Sequence, residues 1–399
     1  MAQRHWPRCY VLWNDGWECM DRRRLLMGLM AVMATSMTAC QGRSDNTLLV
    51  AAIAGALSPQ MLRDLQSRQS ADIVLRLKAQ ESLVALFQQL QAWQAAAQSA
   101  TPEAGPRRAD WALLSDYWLL PAIQQELISP LDNVDAIAGW ESLPDSWARL
   151  LQRSQDGLLS ATGPTWGTPY RWHHLMMVYD RRFFNSLGWE PTTWSDLLRA
   201  ELQERIILPD HPRLVLGLML KAFNHSVNDP DPASHADVVS ALETLRTQVK
   251  AYDTTTYLQS LVIGDAPVAV GWSGDIQPLL SRYRYLQAVA PEPGTLLSAD
   301  VWTRPKGTAA TATMPMSDFE QAWLSYWWQP DVVTPLSLLT QGLSPLLLAD
   351  QPLDFDFELA ANTVMPAPAQ LQNSEFVEPL ADAAIANYNQ LWQQLRGRE

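Results

Sequence analysis

From residue 47 onward, short apolar runs alternate with longer amphipathic ones. TLLVAAIAG (47–55) is followed by Ser58-Pro59 and the segment QMLRDLQSR, and proline suits the first turn of a helix. ADIVLRLKA (71–79) leads into SLVALFQQLQAWQAAAQ, and after an Ala-Pro-rich linker ADWALLS (109–115) runs into an amphipathic segment that closes on Pro130. Apolar runs of strand length between helical periodicities predict a parallel or mixed sheet with helices on its faces. Ligands of such sheets bind beyond the carboxyl ends of the strands. The third run ends on Ser115-Asp116-Tyr117-Trp118, a polar-aromatic corner at such an end.

The same rhythm continues. WGTPYRWHHLMMVYD (166–180) reads as a loop feeding a strand, TTWSDLL (192–198) as a capped helix start, and ERIILPDHPRLVLGLMLKAF (204–223) as strand, turn and helix. The pattern Ser234-x-x-Asp237 resembles a capping box and predicts the next helix. APVAVGWSGD (266–275) is a buried strand with a second polar-aromatic corner, and LLSADVWTRPKG (296–307) makes a third. Long helices near 317–329 and 374–396 close the chain. The pattern holds no internal repeat, no coiled coil, and no membrane-spanning run after the first forty residues.

Those first residues are set apart by their pattern. Arg22-Arg23-Arg24 precedes LLMGLMAVMATSM (25–37) and Met37-Thr38-Ala39-Cys40. A basic stretch, a short apolar stretch and small residues describe an export signal, and arginines followed by two leucines fit a twin-arginine route. The last four residues resemble a lipoprotein processing box in which Cys40 is acylated; ordinary secretory cleavage nearby is the alternative. Residues 1–19 carry Asp15, Glu18 and three tryptophans, which no signal needs, so translation is expected to begin at Met20. All three cysteines, Cys9, Cys19 and Cys40, lie in this region. The body therefore has no disulfide framework, cysteine metal site or thiol nucleophile. With 29 Lys/Arg against 42 Asp/Glu the net charge is −13, which argues against nucleic acid or an anionic membrane surface as partner. A lipid anchor would be the one membrane contact.

Enzyme motifs are scarce. Ser273 sits in GWSGD, but a nucleophile elbow needs glycine two residues either side, and position 275 is Asp. No phosphate loop, dinucleotide fingerprint or other cofactor motif occurs. His173 and His174 are adjacent, so on a strand they face opposite sides. His225, Asp229, Asp231, His235 and Asp237 crowd one stretch, yet two prolines and a helix start account for those residue types. What recurs is a strand end bearing aromatics and carboxylates: Asp116 with Tyr117, Tyr170 with Trp172, Trp272 with Asp275, Asp300 with Trp302. Together these predict a cleft suited to an amine held by cation–π contact and ion pairing. Arg171 is the counterweight; facing the cleft, it would admit a neutral or carboxylate-bearing ligand. An extracytoplasmic hydrolase on Ser273, or a metal site around His211, is the remaining reading.

DWALLSDYWLLPAIQQELISPLD, WGTPYRWHHLMMVYD, TTWSDLL, RLVLGLMLKAFNHSVNDPDP, YDTTTYLQSLVIGDAPVAVGWSGD, APEPGTLLSADVWTRPKGTA and SEFVEPLADAAIANYNQLW, in that order, resemble the spermidine/putrescine-type solute-binding proteins of ABC importers. The resemblance implies a two-lobed α/β fold of the periplasmic-binding-protein type II kind, its lobes joined by crossing hinge strands. Lobe one would take 47–168 with 300–344, lobe two 169–299 with 345–399, after an N-terminal extension (1–39) and a tether (40–46). It implies a monomeric, non-enzymatic, exported lipoprotein that binds a polyamine-like amine and delivers it to a permease driven by an ATPase. Ser115 and Tyr117 match ligand-contacting positions, Trp272 a stacking tryptophan, and Asp300 an amine-binding carboxylate. The chain departs from the family at Ile53, His211, Leu214, Ser298 and Leu343, where an aromatic, two acids, a second tryptophan and a tyrosine are expected. His173 stands where glycine is frequent. The predicted site is therefore Ser115, Asp116, Tyr117, Tyr170, Arg171, Trp172, His211, Trp272, Asp275, Ser298 and Asp300. A changed, amino acid-like ligand and a non-transporting sensor are the other outcomes.

Overall fold

A computed structural model describes residues 47–69, 74–98, 107–307, 316–349, 353–360 and 363–396. The predicted export signal, its Cys40 lipidation site and the tether lie outside the described residues.

Eleven strands are found among the described residues: β1 (Thr47–Ile53), β2 (Val74–Gln80), β3 (Trp111–Ser115), β4 (Ile128–Ser129), β5 (Thr168–Asp180), β6 (Ile206–Leu208), β7 (Val249–Tyr252), β8 (Val268–Trp272), β9 (Leu286–Val289), β10 (Leu296–Pro305) and β11 (Glu375–Phe376). Eight of them form one hydrogen-bonded path, β2-β1-β3-β10-β5-β8-β6-β7. Each end of the path is parallel: β1 pairs in parallel with β2 and β3, and β6 with β7 and β8. The middle is antiparallel, β10 running against β3 and β5, and β5 against β8. This is the expected α/β class.

Side-chain alternation explains why the parallel strands are apolar on both faces. On β1 and β3, Ala51, Ala112 and Leu114 enter one core with Leu86, Trp93 and Trp147. Their neighbours Val50, Ala52, Trp111 and Leu113 enter a second core with Trp302, Trp323 and Trp327. On β6 and β8, Ile206, Leu208, Val268 and Val270 face a third core, and Ile207 and Ala269 a fourth. Strands with period-two side chains and helices on both sides read as continuous apolar runs.

The two long central strands pass from the first pair of cores to the second. On β5, Tyr170 and Trp172 belong to the first pair, while Leu175, Met176, Met177 and Val178 belong to the second. A shift of register between Asp300 and Val301 leaves Tyr170 unpaired between Pro169 and Arg171. A third segment runs beside them, where Trp172 and Leu343 exchange backbone hydrogen bonds of 2.9 Å each way. These crossings join the two lobes of the fold.

Local chemistry sets the helix starts. Ser58 caps the helix Pro59–Ser67, and Thr193 with Asp196 forms a capping box. Two expectations change. The box at Ser234 and Asp237 does not form; His235 is the N-cap of Ala236–Gln248 and makes no side-chain cap bond. The last helix is Asp382–Arg396, because residues 375–376 pair with β10 and Pro379 precedes it. The segment Pro345–Leu348 contributes Leu346, Leu347 and Leu348 to the core that holds Trp147, whereas Leu391 and Leu395 of the last helix join the core around β6.

Trp172 is fully buried at the crossing and donates its indole N–H to the Ser344 carbonyl at 2.9 Å. Trp172→Ala is expected to cost about 3–5 kcal/mol through the cavity it leaves. Urea unfolding should show a lower midpoint with an unchanged slope.

Candidate functional site

The carboxyl ends of β1, β3 and β8 meet the middle of β5 and β10 at a cavity of about 470 Å³. Its polar floor is made by alternate residues of the two crossing strands. On β10, Leu297 and Ala299 go down into the core while Ser298 and Asp300 point into the cavity. On β5, Trp172 and His174 are fully buried while Arg171 and His173 line it. Asp300 lies opposite Ser115 on one side and Arg171 on the other. Trp272, the last residue of β8, and Asp275, on the next helical turn, complete the far wall.

At the centre is an ion pair. Arg171 Nε donates to Asp300 Oδ2 at 2.7 Å, Arg171 Nη1 donates to the Thr340 carbonyl, and His173 Nε2 lies 3.6 Å from the same Asp300 oxygen. Burial would raise the Asp300 carboxyl, but Arg171 and then His173 outweigh it and hold the group down at about 2. Two glycines make room for this arrangement. A Cβ at Gly342 would come within 2.5 Å of Arg171 Cδ, and one at Gly274 within 2.8 Å of the His173 ring.

A second cavity, of about 540 Å³, lies beyond Asp116 and Tyr117 and is lined by His211, Arg153, Arg213 and Glu378. Asp116 Oδ1 accepts from Ser298 Oγ (2.7 Å), the Tyr117 backbone N–H (2.9 Å) and Ser115 Oγ (3.2 Å), while its Oδ2 is buried without a partner. Burial pushes this carboxyl up to about 6, against the pull of Ser298 and Arg153. The Tyr117 ring is exposed and meets His211 edge-on at 5.4 Å, and burial followed by Arg213 lowers the His211 imidazole.

The structure thus gathers Ser115, Arg171, Trp272, Asp275, Ser298 and Asp300 around one cavity, and Asp116, Tyr117 and His211 around the other. Tyr170 and Trp172 line neither. Tyr170 is buried under Arg171, its ring 5.5 Å from the guanidinium carbon and its hydroxyl donating to the Ala56 carbonyl at 2.6 Å. Trp302 is likewise core. His173, Thr340 and Gln341 line the first cavity but were absent from the sequence-derived site. His173 had a readable signal: it is two residues from Arg171, so a strand puts both on one face. Thr340 and Gln341 come from a turn 40 residues beyond β10's Asp300 and had none.

His174 is fully buried with neither ring nitrogen partnered, and burial lowers its pKa to about 3. The folded state keeps this imidazole neutral, whereas the unfolded chain protonates it near pH 6.5. Its contribution is fully present above pH 6.5 and declines as the pH falls below it, by up to about 1.4 kcal/mol per unit. His174→Leu, which has no proton to bind, should lose less stability between pH 7 and pH 5 than the wild type in urea titrations. Gly342→Ala should push Arg171 off Asp300 and destabilise the fold by about 1–3 kcal/mol through overpacking; an unchanged midpoint would contradict the close approach.

A family model described as bacterial extracellular solute-binding protein matches residues 111–364. The putrescine/cadaverine-binding protein of Pseudomonas aeruginosa is 26% identical over 118 residues, 29% of this chain and 33% of the relative. Spermidine/putrescine-binding periplasmic protein 1 of Haemophilus influenzae is 24% identical over 209 residues, 52% of this chain and 56% of the relative. The chain thus spans between a third and just over half of these curated relatives. Among solved structures, the spermidine/putrescine substrate-binding protein PotD of Streptococcus pneumoniae superposes with a TM-score of 0.69 at 20% identity, covering 88% of this chain and 99% of that one. The TpPotD lipoprotein of Treponema pallidum does so with a TM-score of 0.61 at 16% identity, over 88% and 100%. At such identities the likeness is one of fold.

Proposed function

The chain belongs to the bacterial extracellular solute-binding proteins, and from that premise we propose that it captures a small amine, of polyamine type, in the cavity between β3, β5, β8 and β10 and passes it to an ABC permease with its ATPase. One observation carries the reading: the cavity presents the Trp272 ring beside the exposed Asp275 carboxylate, with the ionised Asp300 at its floor. An ammonium group gains from an aromatic face and a carboxylate together, by about 0.5–2 kcal/mol for the face alone. The names of the Pseudomonas and Haemophilus relatives point to the same class of ligand. Export with lipid attachment at Cys40, by the twin-arginine route, and a monomeric state belong to the same reading. So does a division near residues 168 and 299, with Pro345–Leu348 riding on the first lobe's core.

Binding rather than hydrolysis is favoured by Ser273, the serine of GWSGD. It is buried, and its hydroxyl accepts from the His174 backbone N–H at 3.2 Å. No imidazole ring nitrogen is hydrogen-bonded to it among the described residues.

A specific observation supports a second ligand class. Arg171 already neutralises Asp300, so the floor offers a cation beside an anion, the complement of an amino acid-like zwitterion. Calorimetry on wild type and on Arg171→Ala separates the two. A polyamine ligand should bind the variant as well as the wild type or more tightly, because Asp300 is released to it. A carboxylate-bearing ligand should lose at least ten-fold. Trp272→Ala should weaken either by about three- to thirty-fold, the equivalent of roughly 0.7–2 kcal/mol. Absence of heat with putrescine, cadaverine, spermidine and a panel of zwitterionic amino acids would remove both readings.

A further inference from the structure

The loop between the helices Pro212–Ala222 and Ala236–Gln248 carries His225, Asp229 and His235, and Asp237 stands in the first turn of the second helix; none of the four lines either cavity. The loop is fixed from outside. Tyr388 Oη shares its one hydrogen between the carbonyls of Asp229 (2.9 Å) and Val227 (3.1 Å), and Asn387 Nδ2 donates to that of Pro230 (3.1 Å). Ser226 Oγ donates to Glu375 at 2.7 Å. On this mount the imidazoles of His225 and His235 lie face to face, centroids 3.9 Å apart and planes 25° from parallel.

Each ring meets its own carboxylate. His235 Nε2 is 2.9 Å from Asp229 Oδ2, and His225 Nε2 is 3.4 Å from Asp237 Oδ2. The other oxygen of each carboxylate accepts a backbone N–H, from Asp231 at 2.8 Å and from Val238 at 2.9 Å. All four side chains are therefore oriented before anything binds. Capping does not explain the group, since His235 occupies the N-cap without a side-chain cap bond. One ligand atom from each of His225, His235 and Asp237 lies within 4.8 Å of the other two. A tetrahedral zinc ion with bonds of 2.0–2.1 Å needs its ligand atoms about 3.3 Å apart. Binding would therefore draw the three atoms together and turn the stacked rings toward a common point.

We propose that His225, His235 and Asp237 form a binding site for a late first-row divalent cation of the zinc type, with Asp229 orienting His235. Two imidazole nitrogens with one carboxylate suit zinc, nickel or copper, whereas calcium and magnesium require oxygen ligands. A carboxylate behind a ligating histidine fixes its ring and raises its basicity. The histidines are partly exposed and Asp237 is exposed, so an ion enters from solvent and a water completes its shell. A bound ion ties the loop to the first turn of the following helix.

The test is a calorimetric titration of the tag-free full chain with zinc at pH 7.5, beside His225→Ala/His235→Ala and Asp237→Asn. Because thiols are zinc ligands in their own right and the full chain carries Cys9, Cys19 and Cys40, the quantity read is the difference in stoichiometry between wild type and variants. The double variant is expected to lose one equivalent, and Asp237→Asn to bind that equivalent at least ten-fold more weakly. Cobalt at the same site should give visible bands without sulfur-to-cobalt charge transfer. Equal stoichiometry in wild type and double variant, or a lost equivalent with the thiolate signature, overturns the proposal. Metal-free melts of all three proteins keep a folding defect from passing as loss of a ligand, and Asp237→Asn, on the exposed edge, repeats the test should the double variant melt early.

Discussion

The ion pair of Arg171 and Asp300 is the constraint around which the rest of the cavity is arranged. Two charges taken from water are tolerated only with close geometry and further hydrogen bonds. Here the second Asp300 contact is His173, and the guanidinium reaches the Thr340 carbonyl. Meeting those demands fixes the backbone as well. A Cβ at position 342 would crowd Arg171 and one at position 274 would crowd His173, and the unpaired residue of β5 stands just before Arg171.

The same pair sets the electrostatic character of the cavity. The family resemblance implies a carboxylate free to meet an amine, and in this chain that carboxylate already has a cation. Ser298 compounds the change. Where a second stacking tryptophan is expected, a hydroxyl donates to Asp116 Oδ1 at 2.7 Å and ties that carboxyl to the wall of the second cavity. In the proposed amine reading, what remains for an incoming cation is Asp275 with Trp272, on the far wall of the cavity rather than its floor.

The alternation of apolar runs made the sheet and its helices legible, because both faces of β1, β3, β6 and β8 are buried and leave continuous hydrophobic stretches. The strand ends were legible for the same reason. The facing of individual side chains was less so. The strand-end pattern pairs Tyr170 with Trp172 at the cleft, but both are buried in different cores while Arg171 lines the cavity, and the unpaired Tyr170 breaks the alternation just there. Thr340 and Gln341 reach the cavity through a turn in which Gln341 has φ 61°, a conformation with no distinctive residue type to announce it. At the helix start near 235, Ser234 and Asp237 stand at capping distance, but the Asp237 carboxylate meets the His225 imidazole and no box forms.

Arg171 belongs to β5, Asp300 to β10 and Thr340 to the third segment at the crossing, so one side chain fastens all three passages between the lobes. Under the proposed reading, in which Arg171 also faces the ligand, exchanging it to suit a differently charged solute would at the same step remove the contact that ties these three passages together. Trp272 and Asp275 are not detached from that contact either: Trp272 pairs with Leu175 of β5, and the Asp275 charge acts on the Arg171 guanidinium.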